Sequence, residues 1–221
     1  MKIFITGGTG FIGRPTVANL LKKDHELLVL SRQPQKPSVN LGYIKGDLSG
    51  NSWQSDVKRF KPDAVIHLAW EGLPDYGYDI SKKNLNLGLN LYEFLANIGC
   101  KRVMTVGSCW EYGLVTGRLT EDMAILPMNA FTAAKNSLNY LGSQLTNEAE
   151  MQFVWGRIFF AYGEGQRSIS LLPRLIAYAK GGETPTIKDP ETKLDFIYVE
   201  DVAKAVIHLV ESENANGTYN I

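Results

Sequence analysis

Lys2-Ile3-Phe4-Ile5-Thr6-Gly7-Gly8-Thr9-Gly10-Phe11-Ile12-Gly13 runs a short apolar strand straight into a glycine-rich turn. The turn opens a helix from about Phe11, amphipathic through Val17, Leu20 and Leu21. Such a helix start offers unpaired backbone N–H groups and the positive end of its dipole, which together suit a pyrophosphate. Glycine serves first the tight turn and then the approach of backbone to a ligand with no Cβ between them. The third glycine, Gly13, lets the helix lie close on the strand. The spacing reads as Gly8-x-Gly10-x-x-Gly13 or as Gly7-x-x-Gly10-x-x-Gly13. A spacing alone is a weak signal; between a strand and an amphipathic helix it points to dinucleotide binding rather than to a purely structural turn.

Working outward, apolar strands recur at Glu26–Ser31, Gly42–Lys45, Asp63–Leu68, Lys101–Gly107 and Met151–Ile158, with helical patterns near 51–60, 80–98 and 129–148. Near-continuous apolar strands alternating with helices predict an α/β fold, a doubly wound parallel sheet covered on both faces. After about residue 159 the rhythm loosens. Gly163, Gly165, Pro173, Gly181, Gly182, Pro185 and Pro190 punctuate loops around one helix at 169–180, where substrate contacts are expected. A strand at Phe196–Val199 and a helix at Asp201–Val210 follow. The expected division is a dinucleotide-binding domain over 1–158 and part of a small C-terminal substrate lobe over 159–221, interleaved with the core. Thr218-Tyr219-Asn220-Ile221 reads as a strand entering the fold, so the natural protein is expected to continue beyond it.

Composition narrows the function classes. The 221 residues are 44% hydrophobic, enough for one sizeable core. The 23 basic and 23 acidic residues balance without a long run of either sign, which argues against nucleic-acid and anionic-membrane partners. No apolar stretch reaches the ~20 residues of a membrane span, and the first residues, already strand and glycine turn, do not read as a leader. Cys100 and Cys109, with His25, His67 and His208 scattered, lack metal-ligand spacing. A reduced, cytoplasmic protein without a structural metal is the expectation.

Strand two ends in Leu30-Ser31-Arg32-Gln33, without the acidic residue that binds the ribose 2′-hydroxyl of NAD. A hydroxyl followed by a guanidinium suits a 2′-phosphate, so NADP(H) is preferred, with NAD(H) the alternative; Arg32 also reads as an exposed loop arginine. Gly46-Asp47-Leu48 is placed for the adenine amino group through Asp47, which reads nearly as well as a turn aspartate. At the end of strand five stands Gly107-Ser108-Cys109-Trp110-Glu111-Tyr112-Gly113, where open α/β sheets bind ligands. Some twenty residues on, Phe131 and Lys135 lie one helical turn apart on a shared face. Taken singly, Ser108 could cap a strand end and Lys135 could be a solvated helix lysine. His67 reads as a satisfied core histidine. Trp53, Trp70, Trp110 and Trp155 read as core, with Trp70 and Trp110 close enough to strand ends to border a pocket.

With these motifs together, the chain resembles the extended short-chain dehydrogenase/reductase superfamily, specifically the NAD-dependent epimerase/dehydratase family acting on nucleotide sugars. The resemblance also rests on His67-Leu68-Ala69, Asn84…Asn90, Arg157…Tyr162-Gly163 and Asp195-Phe196-Ile197-Tyr198-Val199-Glu200-Asp201-Val202-Ala203, and spans essentially the whole chain. It implies a Rossmann-like fold and an NAD(P)-dependent oxidoreductase, isomerase or dehydratase with a nucleotide-sugar substrate. Ser108-Cys109-Trp110-Glu111-Tyr112-Gly113 and Arg157-Ile158-Phe159-Phe160 look most like the 4-ketoreductases of the family. In the roles it implies, Ser108 bonds the sugar oxygen that is oxidised or reduced. Lys135 holds the nicotinamide ribose and depresses the pKa of a catalytic tyrosine. Gly7, Gly10, Phe11, Ile12 and Gly13 hold the pyrophosphate, and Leu68, Ala69 and Asn84 line the cofactor cleft. Phe159 and Phe160 close over nicotinamide and sugar, where many relatives carry Asn at 160. Arg174, in Leu172-Pro173-Arg174, reaches for the substrate diphosphate, although Leu194 stands where many relatives have Arg. A homodimer through the helices near 80–98 and 129–148 is implied on the same ground.

One departure bears on mechanism. Phe131 stands where the family's Tyr-x-x-x-Lys pair has its tyrosine, and it has no proton to give. Loss of a positioned general acid or base costs roughly 10²–10⁴-fold in rate. Tyr78-x-x-x-Lys82 has the spacing but precedes the Ser108 strand and reads as coincidence. Three accounts are open: an introduced substitution, a natural variant that uses Tyr112 or water, and a catalytically silent NADP(H)-binding sensor or scaffold.

Overall fold

The structure, a computed structural model, describes residues 1–33, 35–182, 184–187 and 191–221. Pro190, assigned above to a loop, lies outside the described residues. β1 (Lys2–Thr6) is fully buried at Ile3, Phe4 and Ile5. Successive side chains alternate across a strand. Ile3 and Ile5 therefore join one core layer, with α1 (Gly13–Leu21) and α6 (Val199–Glu211), while Phe4 joins the other. That second layer holds α2 (Gln54–Phe60), α3 (Tyr78–Asn97) and α4 (Ala130–Glu148). Helices on both faces explain why the strands are apolar on both.

β2 (Glu26–Ser31), β3 (Leu41–Lys45), β4 (Ala64–His67), β5 (Arg102–Ser108), β6 (Gln152–Ile158) and β9 (Gly217–Asn220) complete a seven-stranded parallel sheet in the order β3-β2-β1-β4-β5-β6-β9. The chain reverses its winding direction between β1 and β4, which pair from Ile3↔Ala64 to Thr6↔His67. Loops leaving those neighbouring strands diverge to opposite faces, and the crevice between them is where doubly wound sheets take ligands. The fold is the Rossmann-like doubly wound sheet expected.

Boundaries moved by one to three residues, and two elements were not foreseen. α1 begins at Gly13 rather than Phe11, because Phe11 and Ile12 still belong to the turn. Val199 starts α6 instead of ending β8 (Phe196–Tyr198). β7 (Phe160–Tyr162) pairs in parallel with β8 as a separate two-stranded ribbon, too short and too mixed to announce itself. A 3₁₀ turn occupies Cys109–Tyr112. α5 (Leu171–Gly181) buries none of its side chains. By contrast α6 buries Val202, Ala203, Val206, Ile207 and Val210 at helical spacing against the sheet. Residues 199–221 thus return to the first core layer after the β7–β8 excursion.

Candidate active site

The glycine loop is fixed by contacts that leave no room for side chains. Gly7 has φ +75°, and its carbonyl accepts the Gly10 N–H at 2.9 Å. A Cβ on Gly7 would stand 2.7 Å from the Ala69 backbone nitrogen, and one on Gly13 only 2.1 Å from the Gly7 carbonyl oxygen. Gly7 therefore admits the neighbouring β4 loop, and Gly13 seats the helix start on the turn itself rather than on the strand. Gly10 is different, since its Cβ would meet only the Gly7 oxygen, at 3.2 Å. The backbone N–H groups of Phe11 and Ile12 find no acceptor among the described residues.

Two cavities of about 210 and 630 Å³ flank this loop and share Gly7, Gly10, Arg32, Leu68, Trp70 and Glu71. They form one elongated cleft over the β1/β4 crevice. The smaller end holds Asp47, Leu48, Ala69 and Asn84; the larger holds Phe11, Ile12, Gly13, Ser108, Phe131, Lys135, Phe159 and Phe160. At the small end the Asp47 carboxylate accepts from the backbone and hydroxyl of Ser49, bonds that hold it below the usual carboxylate range. Asn84 is buried, accepts the Glu71 N–H at 2.7 Å, and donates to the Glu71 carbonyl at 3.1 Å and the Ile80 carbonyl at 2.8 Å. It lines the cleft chiefly by stapling the loop after β4. His67 is the core histidine expected: its Nδ1 lies 2.7 Å from the Thr6 hydroxyl, and burial, with the nearby Lys135 charge, pushes it down to about 3.

The pairing proposed for a 2′-phosphate is only half formed. Ser31 is buried and its hydroxyl donates to the Gln33 carbonyl at 2.8 Å. Arg32 is exposed at the cleft, its guanidinium 4.0 Å from Glu71 Oε1.

At the large end the sequence Ser108-x-x-Glu111 closes a capping box. Ser108 Oγ accepts the Trp110 N–H at 3.3 Å, and Glu111 Oε1 accepts the Ser108 N–H at 2.8 Å. Glu111 is wholly buried and also accepts from Trp155 Nε1 at 3.1 Å and Arg157 Nε at 3.0 Å. Every carboxylate oxygen is satisfied, as a buried charge requires. A Cβ on Gly107 would strike Trp155 Nε1 at 2.2 Å, so the strand end lies directly on this network. Lys135 is buried, donates to the Val106 carbonyl at 2.8 Å, and holds its ammonium 4.0 Å from the Trp70 ring centroid. Burial pushes Lys135 down to about 8, with the Glu111 charge opposing. Phe131 packs edge-on against Trp70 at 5.4 Å and against Tyr76 at 5.3 Å.

Two candidates do not line the cleft. Tyr112 is fully buried, and its hydroxyl donates to Asn220 Oδ1 at 2.7 Å while accepting from Arg157 Nη1 at 2.8 Å. It lies behind the cleft wall and has no free path to a ligand, so it is neither substitute proton donor nor sugar contact. Arg174 is exposed on α5, one turn past Ser170, the last residue of the lining. Tyr78 and Lys82 sit together on the outside of α3, their pairing a surface cation–π contact at 5.7 Å. Asp195 reaches its neighbour through its backbone carbonyl, which accepts the Phe160 N–H at 3.1 Å. Both cysteines are buried and free, and no group of three metal-ligating side chains occurs among the described residues. No described helix is long and apolar enough to cross a membrane. Sequence reasoning missed Tyr76 and the role of Glu111. The Ser-x-x-Glu spacing could have revealed the second; a loop tyrosine carries no signal of its own.

The arrangement fits an extended dinucleotide: a cradle kept clear by Gly10, two free helix-start N–H groups, and an indole, Trp70 Nε1, buried without a partner where the cavities meet. Comparison with known proteins agrees. The chain is 25% identical to dTDP-6-deoxy-L-talose 4-dehydrogenase (NAD(+)) of Aggregatibacter actinomycetemcomitans, covering 100% of this chain and 83% of that protein. It is 23% identical to CDP-abequose synthase of Yersinia pseudotuberculosis over 97% of this chain and 75% of that one. Among solved structures, MoeE5 in complex with UDP-glucuronic acid and NAD superposes with TM-score 0.86 at 26% identity, over 100% of this chain and 76% of that one. The UDP-N-acetylglucosamine 4-epimerase of Methanobrevibacter ruminantium does so with TM-score 0.86 at 27% identity and the same coverage. A family model matches residues 3–221, and the chain belongs to the NAD dependent epimerase/dehydratase family.

Proposed function

We propose that this chain is an NAD(P)-dependent oxidoreductase or epimerase acting on a nucleotide-linked sugar. The observation that carries the reading is one continuous cleft with the glycine cradle at its middle and Ser108, Lys135 and Phe131 at its wide end. When bound, the dinucleotide supplies or accepts the hydride. Gly7, Gly10, Phe11, Ile12 and Gly13 hold its pyrophosphate, Asp47 and Leu48 meet the adenine, and Leu68, Ala69, Asn84 and Phe159 wall it in. Ser108 donates to the sugar oxygen that changes oxidation state. The Lys135 ammonium holds the nicotinamide ribose, having exchanged the Val106 carbonyl for it, and keeps positive charge beside the reacting oxygen. Phe160 closes over the sugar. Residues 1–158 serve as the dinucleotide domain and 159–221 supply part of the sugar side.

NADP(H) is the preferred coenzyme in this reading, because β2 ends without a carboxylate and Arg32 borders the adenine end. The experiment is NADPH and NADH oxidation, followed by absorbance, with dTDP-, CDP- and GDP-linked 4-keto-6-deoxy sugars, and epimerisation of UDP-glucose with NAD(+). Turnover with one of these supports the enzyme. A second reading rests on Phe131 and on Lys135 being engaged by Val106 and covered by Trp70: a silent dinucleotide-binding sensor. Coenzyme binding with no turnover on any sugar nucleotide selects it.

A further inference from the structure

The family's proton donor is missing at Phe131, yet its ring is surrounded by others. Trp70, Tyr76 and Trp110 pack around Phe131 at 5.4, 5.3 and 6.5 Å between centroids, and Tyr76 meets Trp110 at 5.2 Å. All four line the wide end of the cleft beside Ser108 and Lys135. Of these rings only Tyr76 carries a hydroxyl. We propose that Tyr76, reaching in from the loop after β4, supplies the acid/base hydroxyl that Phe131 lacks.

Other nearby groups are unsuited. Tyr112 is committed to Asn220 and Arg157. The Trp70 indole donates hydrogen bonds but does not give up its proton near neutral pH. The His67 ring is buried against Thr6. Lys135 is turned to the Val106 carbonyl under the Trp70 ring. Tyr76 is half-buried, and its hydroxyl has no hydrogen-bond partner among the described residues. Its backbone is nevertheless held. Asn84 fixes Glu71; the Asp75 N–H donates to the Gly72 carbonyl at 2.8 Å; and the Gly77 N–H donates to Asp75 Oδ1 at 2.8 Å. A Cβ on Gly72 would lie 2.5 Å from Ile80, so the loop sits tightly on α3. A positioned but unengaged phenol in a cleft is what a general acid needs before substrate arrives.

The inference rests on the oxidoreductase reading above. In the reductive direction, hydride from the reduced nicotinamide adds to the ketone carbon. The Tyr76 O–H bond breaks as a bond forms between its proton and the former carbonyl oxygen, leaving alcohol, oxidised nicotinamide and tyrosinate. Water at the open side of the loop returns the proton. Ser108 donates to the same oxygen throughout.

The test removes only the hydroxyl. With NADPH and the 4-keto-6-deoxy sugar nucleotides named above, Tyr76→Phe is expected to lower kcat by roughly 10²-fold or more. NADPH affinity should stay within twofold. Calorimetric affinity for dTDP-4-dehydro-6-deoxyglucose should weaken by about three- to tenfold, one hydrogen bond's worth. Phe131→Tyr should restore most of the rate in the Tyr76→Phe background. Tyr76→Phe with parental kcat overturns the inference and leaves the oxidoreductase reading standing. A parent that binds coenzyme and ketone without turnover overturns both, and so separates the two failures.

Discussion

Lys135 shows how one buried residue couples fold to function. Its ammonium has exchanged water for a single carbonyl, an aromatic face and the more distant Glu111 carboxylate. Burial dominates and pushes it from 10.5 down to about 8. Between those values the unfolded chain holds a proton that the folded chain has released, so stability at this position rises with pH across that window. Relative to Lys135→Met, the parent should gain up to about 3 kcal/mol between pH 7.5 and 10.5 in urea denaturation; a difference independent of pH contradicts the burial argument. In the proposed role of Lys135 the same titration removes the charge that would hold the ribose, so coenzyme affinity should fall above about pH 8. At the other end of the cleft the Ser31 hydroxyl is engaged, so the proposed preference for NADP(H) rests on Arg32 alone. Arg32→Ala should weaken NADPH by at least about tenfold, the value of a charge-assisted bond, and NADH by less than twofold. Equal losses for both would assign Arg32 to the Glu71 pair alone.

At the scale of the element, the turn between β1 and α1 separates two uses of glycine that the spacing alone merges. A Cβ on Gly13 would stand 2.1 Å from backbone, whereas one on Gly10 would meet a single oxygen at 3.2 Å and otherwise face the cleft. Gly13→Ala must displace the turn or the helix, and is expected to cost about 3 kcal/mol of stability by overpacking. Gly10→Ala should unfold like the parent yet bind dinucleotide at least about tenfold more weakly, as its methyl group occupies the approach to the pyrophosphate. Thermal unfolding and coenzyme titration of the two variants read these effects separately. If Gly10→Ala binds normally, the cradle is structural. The capping box from Ser108 to Glu111 works at the same scale: one buried carboxylate orients the Ser108 backbone and anchors Arg157 and Trp155 behind it.

Across the whole molecule, what the sequence reveals follows from what is periodic. The apolar strands and the 3.6-residue stripes of α1 and α6 repeat, so the sheet, its layers and the ligand crevice were legible from residues such as Ile3, Ile5, Val202 and Val206. The short β7–β8 ribbon repeats nothing and was not. Ser108, Phe131 and Lys135 meet as expected because strand end and helix face are both regular. Tyr112 could not be placed correctly, since its direction is set by the 3₁₀ turn and by Arg157 and Asn220 far along the chain. Tyr76 was invisible for the same reason, its position being a property of loop contacts. The proposed function depends above all on the cleft receiving a nicotinamide dinucleotide. Thermal unfolding with NADPH at about 100 times its dissociation constant should show stabilisation by about 2.7 kcal/mol, a rise of roughly 5–10 °C. An unmoved transition with millimolar NADPH and NADH alike would contradict it.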